Sequence, residues 1–219
     1  MIGKIKGVIV DLDGVLVSTD EYHYRAWKKI AARENIFFNE QINQRLRGVS
    51  RMESLNIMLE KATRTYTEED KLKLADEKNH IYVESIKSLN ESDLLKGARE
   101  YLAFLKENSV LMAVASASKN AFTILEKLRI KELFDFICDG NMIKKSKPDP
   151  EVFLTAAEGL GLRPESCLVI EDSAAGIIAA KTGGFVTLAV GAIAEEKIAD
   201  YNAKGLFDPV CRKAVIDNG

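Results

Sequence analysis

Short apolar runs and longer amphipathic stretches divide the chain into three parts. Residues 5–10 (IKGVIV) form a β-branched run that stops at Asp11, the pattern of a buried parallel strand opening into a polar loop. From Asp20 to about Asn35 the period changes. Tyr24, Trp27, Ile30 and Ala31 recur at three and four residues, which predicts a helix with Asp20 as its N-cap. The segments 39–46, 52–63 and 68–88 carry helix formers without alternation, and Ser50 and Thr67 stand where N-caps belong. After Asp93, strands predicted at 110–115, 134–138, 167–170 and 185–190 alternate with helices near 98–107, 120–130, 150–160 and 174–182, the βαβ signature of a parallel sheet. Past Tyr201 the pattern fades, leaving only a candidate strand at 206–210.

One strand before an all-helical stretch and several after it are joined most simply as a doubly wound core interrupted by an insert. The fold class expected is α/β: a Rossmann-like parallel-sheet core from residues 1–17 and 91–219, with an all-α cap from residues 18–90.

Composition narrows the function. The 219 residues hold 31 Lys and Arg against 33 Asp and Glu, a formal charge of −2. With no basic stripe either, the electrostatic footprint of nucleic-acid binding is missing, and no nucleic-acid partner is expected. No run reaches the roughly eighteen apolar residues that span a bilayer, and the opening apolar run turns acidic too soon for a signal peptide. The expectation is therefore a cytoplasmic protein without a membrane partner. Cys138, Cys167 and Cys211 lie far apart, as suits reduced thiols rather than disulfides or a zinc site.

In an open parallel sheet, ligands bind beyond the carboxyl ends of the strands, so the residues that follow each apolar run matter most. All are polar. The first strand ends in Asp11-Leu12-Asp13-Gly14, the next in Ser116-Ala117-Ser118-Lys119-Asn120 and a later one in Glu171-Asp172-Ser173, while a loop carries Lys147-Pro148-Asp149-Pro150. Asp11 and Asp172, with or without Glu171, supply hard oxygen ligands of the kind Mg²⁺ prefers, and Lys147 offsets remaining negative charge. A carboxylate held beside such cations can attack phosphorus, and Asp13 two residues on can act as acid and base.

These four segments resemble the motifs of the haloacid dehalogenase superfamily of phosphotransferases. Within it, DLDGV, EYHYRAW (21–27), RGVSR (47–51), ASASKN (115–120), SKPDP (146–150) and EDSAAGI (171–177) are similar in order and spacing to the β-phosphoglucomutase family. The resemblance implies interconversion of β-D-glucose 1-phosphate and glucose 6-phosphate through an aspartyl-phosphate enzyme and β-glucose 1,6-bisphosphate. It makes Asp11 the nucleophile and Asp13 the general acid and base, with Asp11, Asp13, Glu171 and Asp172 around Mg²⁺. Ser116, Ala117 and Lys147 would hold the transferring phosphate. Arg51, Ser118, Lys119 and Asn120 would hold the second phosphate, and Thr19, His23, Gly48 and Lys78 would contact the sugar or gate the acid. Small sugar phosphates are the partners implied, and a moving cap is easiest to reconcile with a monomer.

Blander roles compete for several of these residues. Glu171 or Asp172 can cap the following helix, Lys78 sits in the charged run Asp76-Glu77-Lys78 that reads as a solvated helix face, and Trp27 and Tyr24 read as core of the cap. The alternative activity is a sugar-phosphate phosphatase using the same nucleophile. It would not need the second phosphate pocket.

Overall fold

The computed structural model describes residues 5–46 and 48–216. Strand β1 (Gly7–Val10) is followed by four helices, α1 (Asp20–Arg33), α2 (Glu40–Gln44), α3 (Arg51–Leu59) and α4 (Glu68–Ser85). The chain then alternates through α5 (Ala98–Glu107), β2 (Leu111–Ala115), α6 (Ala121–Lys127), β3 (Phe136–Cys138), α7 (Glu151–Gly159), β4 (Cys167–Glu171), α8 (Ala174–Thr182), β5 (Val186–Val190), β6 (Tyr201–Ala203) and α9 (Pro209–Ile216). The six strands form one parallel sheet in the order β3-β2-β1-β4-β5-β6, which is doubly wound about β1.

Strand period explains the two layers of helices. Val8 and Val10 of β1, Met112 and Val114 of β2 and Leu168 and Ile170 of β4 share one core with α5, α6 and α9. Their neighbours Ile9, Ala113, Ala115, Cys167 and Val169 point the other way, into a second core with α7 and α8. A central strand covered on both faces is apolar along its run, and β1 and β4 are buried throughout, with Glu171 at the carboxyl end of β4 the one charged residue in either. The first four helices after β1, α1 to α4, pack a further apolar cluster of their own, around Trp27, Ile30, Leu55, Met58 and Leu74. Ser50 caps α3 through Glu53 N, and Thr67 and Asp70 form a reciprocal capping box on α4.

Two expectations change. Asp20 is the first residue of α1 rather than its cap; Thr19 takes the cap position, and its hydroxyl donates to Asp13 instead of accepting from the helix. The last strand is Tyr201–Ala203, not 206–210. Leu206 is buried within the connection, while Asp208 accepts from Lys204 N and Val210 N and Pro209 opens α9, which commits 208–210 to a helix start. No helix among the described residues is long and apolar enough to cross a membrane.

Candidate active site

The sheet brings Asp11, Ser116, Glu171 and Asp172 to one edge because each lies at or just beyond the carboxyl end of a neighbouring strand. Lys147 enters from the loop before α7, with its ammonium 4.8 Å above the Phe153 ring. It donates to Asp11 Oδ1 at 2.5 Å and to Glu171 Oε1 at 2.6 Å, and only 1% of its side chain is exposed. Burial disfavours the ammonium, but the two carboxylates more than offset this and hold Lys147 above its ordinary range, so it stays charged.

Carboxylate oxygens of Asp11, Glu171 and Asp172 lie within 4.8 Å of one another. Three carboxylates against one ammonium leave two negative charges in excess in a buried place, and burial together with that crowding pushes the Asp11 carboxyl well above the usual range. A hard divalent cation fits this donor set in both chemistry and charge. Glu171 is the most committed member: Oε1 takes Lys147, and Oε2 accepts from Asp172 N, Ser173 N and Ser173 Oγ at 2.6–2.8 Å. It therefore fixes both the lysine and the turn into α8, whose cap is Ser173.

Two glycines make the approach. Gly14, at φ +81°, lies so close to Asp172 that a Cβ there would fall 1.9 Å from Oδ2. A Cβ on Gly176 would fall 2.0 Å from the Glu171 carboxyl carbon.

Asp13 points from the loop after β1 into the cleft beneath the helical insert. Burial lifts its carboxyl to about 6 against the stabilising donation from Thr19, a value suited to proton transfer near neutrality.

A cavity of about 240 Å³ separates the sheet edge from the insert. Asp11, Asp13, Asp172, Ser116, Ala117, Ser118, Lys119 and Asn120 line it from the sheet side. His23, Gly48, Arg51 and Lys78 line it from the insert. Lys147, Glu171 and Thr19 stand behind this lining, where they hold Asp11 and Asp13. Arg47, which opens the RGVSR stretch, lies outside the described residues.

On the insert side Lys78 is not a solvated charge: it is 2% exposed, with Nζ 2.6 Å from His23 Nδ1 and 4.7 and 5.0 Å from the Tyr82 and Trp27 rings. Burial, with Arg51 nearby, pushes the Lys78 ammonium down to about 7. His23, stacked on Tyr82 at 4.1 Å, is held well below its ordinary value by burial and then by Lys78 and Arg51, so it is neutral. Trp27 belongs to the insert's core, as its spacing predicts, and also lines the cavity.

Three participants lie outside the residues that the sequence motifs single out. Asn79 Oδ1 accepts from Arg51 and Asn120, Ser146 Oγ accepts from Ser50 N at 3.2 Å, and Tyr82 packs against both His23 and Lys78. For Tyr82 a signal existed: Leu74, Lys78 and Tyr82 recur at four residues, one buried stripe along α4.

Residues 5–184 match the family of haloacid dehalogenase-like hydrolases. Beta-phosphoglucomutase of Bacillus subtilis (strain 168) is 43% identical over 189 residues, covering 85% of this chain and 84% of that protein. A phosphorylated carbohydrates phosphatase of Thermotoga maritima is 32% identical over 186 residues, 82% of each. The crystal structure of a beta-phosphoglucomutase from Clostridium difficile superposes with a TM-score of 0.92 at 37% identity, covering 98% of this chain and 96% of that one.

Proposed function

The chain belongs to the haloacid dehalogenase-like hydrolases, and from that premise we propose that it is a Mg²⁺-dependent sugar-phosphate mutase. It interconverts β-D-glucose 1-phosphate and glucose 6-phosphate through an aspartyl phosphate and β-glucose 1,6-bisphosphate. One observation carries the reading: the cleft has anion-binding groups at both ends. Lys147 and Ser116 stand at the sheet end beside Asp11, and Arg51, Lys119 and Asn120 gather at the mouth. A bisphosphate that must turn round between two half-reactions needs both ends. Hydrolysis of a monophosphate needs only the first.

In this reaction Asp11 attacks phosphorus while Lys147 and Ser116 hold the phosphoryl oxygens. Asp13 gives a proton to the departing sugar oxygen, which leaves as a hydroxyl, and takes one from the attacking hydroxyl on the return. Asp11, Asp172 and the Asp13 backbone carbonyl would hold Mg²⁺, with Glu171 beside them orienting Lys147. The bound cation supplies positive charge to the phosphoryl oxygens. Arg51 binds the distal phosphate through its planar fork, with Ser118, Lys119 and Asn120 opposite. The insert, residues 18–90, serves as a cap that keeps water from the aspartyl phosphate, and Gly48, His23 and Lys78 face the sugar from it. Thr19 holds Asp13 at the cap's hinge.

The 32% identical carbohydrate phosphatase sets the rival outcome. With Mg²⁺, β-glucose 1-phosphate and a trace of the bisphosphate, glucose 6-phosphate should accumulate without matching phosphate release. Phosphate release with little glucose 6-phosphate would make the protein a phosphatase instead.

A further inference from the structure

Asn79 follows Lys78 on α4 and stands half-buried in the wall of the cleft. Its amide oxygen accepts from Arg51 Nη2 at 2.8 Å and from Asn120 Nδ2 at 3.0 Å. Arg51 begins α3 and Asn120 precedes α6, so a single oxygen gathers two helices of the insert and one of the sheet layers. An amide oxygen offers two lone pairs, and here each has its donor.

We propose that Asn79 is a positioning residue of the second anion pocket: its side-chain oxygen takes the place of a phosphate oxygen between Arg51 and Asn120 and keeps both donors converged until a phosphate arrives. This rests on the reading above, in which those donors bind the distal phosphate. The neutrality of Asn79 is what makes the exchange work. A guanidinium binds a phosphate dianion through charge-assisted, bidentate bonds that outmatch its single bond to a neutral amide, so the incoming group displaces Asn79 readily. A carboxylate at the same point would pair with Arg51 and repel the phosphate. Convergence before binding also removes part of the cost of ordering a long arginine side chain.

The test compares Asn79→Asp, Asn79→Ala and Arg51→Ala with wild type in two assays. One is mutase turnover over a range of β-glucose 1,6-bisphosphate; the other is hydrolysis of p-nitrophenyl phosphate, which carries one phosphate. Asn79→Asp should raise the KM for the bisphosphate about tenfold or more with kcat changed less than about threefold, a split expected of lost binding rather than lost chemistry. That rise should exceed any change in the KM for p-nitrophenyl phosphate by at least about fivefold. Asn79→Ala, which removes the surrogate without adding charge, should raise the bisphosphate KM by only about two- to fivefold, and it carries the test if the aspartate variant does not fold. If Asn79→Asp leaves that KM within about twofold of wild type, or moves both substrates equally, while Arg51→Ala raises it, the inference is overturned and the second pocket stands. If Arg51→Ala leaves it unchanged, the second pocket itself is misplaced and the inference falls with it.

Discussion

At the sheet end of the cleft the charges are sealed, whereas at the mouth they are half open. Lys147 and Glu171 are each 1% exposed and bonded at 2.6 Å, and Lys147 reaches Asp11 at 2.5 Å. Arg51, Asn79 and Asn120 are half-buried, Lys119 is exposed, and the bonds among the first three run through a neutral amide oxygen. In the proposed reaction the sheet end must hold its dipoles still while charge moves, and fixed groups in a dry site do that without reorganising. The same proposal requires the mouth to admit, release and re-accept a charged group, which favours donors whose partners exchange at little cost. Cationic side chains thus stand in two different settings around one cavity. In the proposed reaction, charge bonded to buried charge marks the end where bonds break, and loose neutral pairing marks the end where a ligand turns over.

The largest effect expected from breaking this contrast is that of Lys147→Met. Removing the cation leaves Asp11 and Glu171 facing each other out of water, and breaking one side of a buried ion pair costs about 3–5 kcal/mol. For a chain of this length that is a fall in Tm of roughly 6–20 °C, read by calorimetry without added metal. Phosphoryl transfer should fall by about 10²-fold or more in parallel, since in the proposed reaction a donor to the transferring group is lost. A shift in Tm below about 2 °C would mean that the sheet end is as compliant as the mouth.

The sheet end was also the legible end. A run of β-branched residues that stops at an acid marks both the strand and the place where its ligand group stands, so Asp11, Ser116, Glu171 and Asp172 could be placed on one edge from strand endings alone. Asn79 and Ser146 could not, because a polar residue within a helix or loop carries no local mark of the partner that tertiary docking brings to it. Lys78 is the intermediate case. Its charged neighbours suggest a solvated face, yet its four-residue spacing to Leu74 and Tyr82 places it on the buried stripe, and periodicity decides. The strand Tyr201–Ala203 was missed because three half-polar residues at a sheet edge make no apolar run; what defines it is pairing with Leu188–Val190.

Lys78 sharpens the comparison, since it is a cation as buried as Lys147 but, among the described residues, bonded to His23 rather than to a carboxylate. Its ammonium titrates at about 7 in the fold, against about 10.4 when unfolded. Between these values the folded chain has given up a proton that the unfolded chain keeps, so stability attributable to this group rises with pH above 7. Replacing it by methionine removes the rise. The stability difference between wild type and Lys78→Met should therefore move by about 2 kcal/mol in favour of wild type from pH 7 to pH 8.5. Denaturant melts at the two pH values measure it; the buried thiols of Cys138, Cys167 and Cys211, pushed up to about 12 in the fold, add an opposite trend as their unfolded counterparts ionise at about pH 8.5, but both proteins carry them and the contribution cancels in the difference. A pH-independent difference would mean that Lys78 stays charged in the fold and is paired as Lys147 is.

The smallest effect belongs to Ser146→Ala, one residue from Lys147 in the chain but on the mouth's side of the contrast. Its hydroxyl accepts from Ser50 N at 3.2 Å, a bond between the insert and the loop that carries the lysine. The site is half-buried, so water can take over the donor, and the loss should stay within about 0.5–1 kcal/mol, a fall of about 1–4 °C in Tm. The measurement is informative because position along the chain and position in the cleft make opposite forecasts. If loops transmitted their rigidity to neighbouring residues, losing the contact beside Lys147 would loosen Lys147 too, and the Tm would fall as far as it does in Lys147→Met. If rigidity comes from pairing alone, Lys147 keeps Asp11 and Glu171, and the two variants stay several kcal/mol apart.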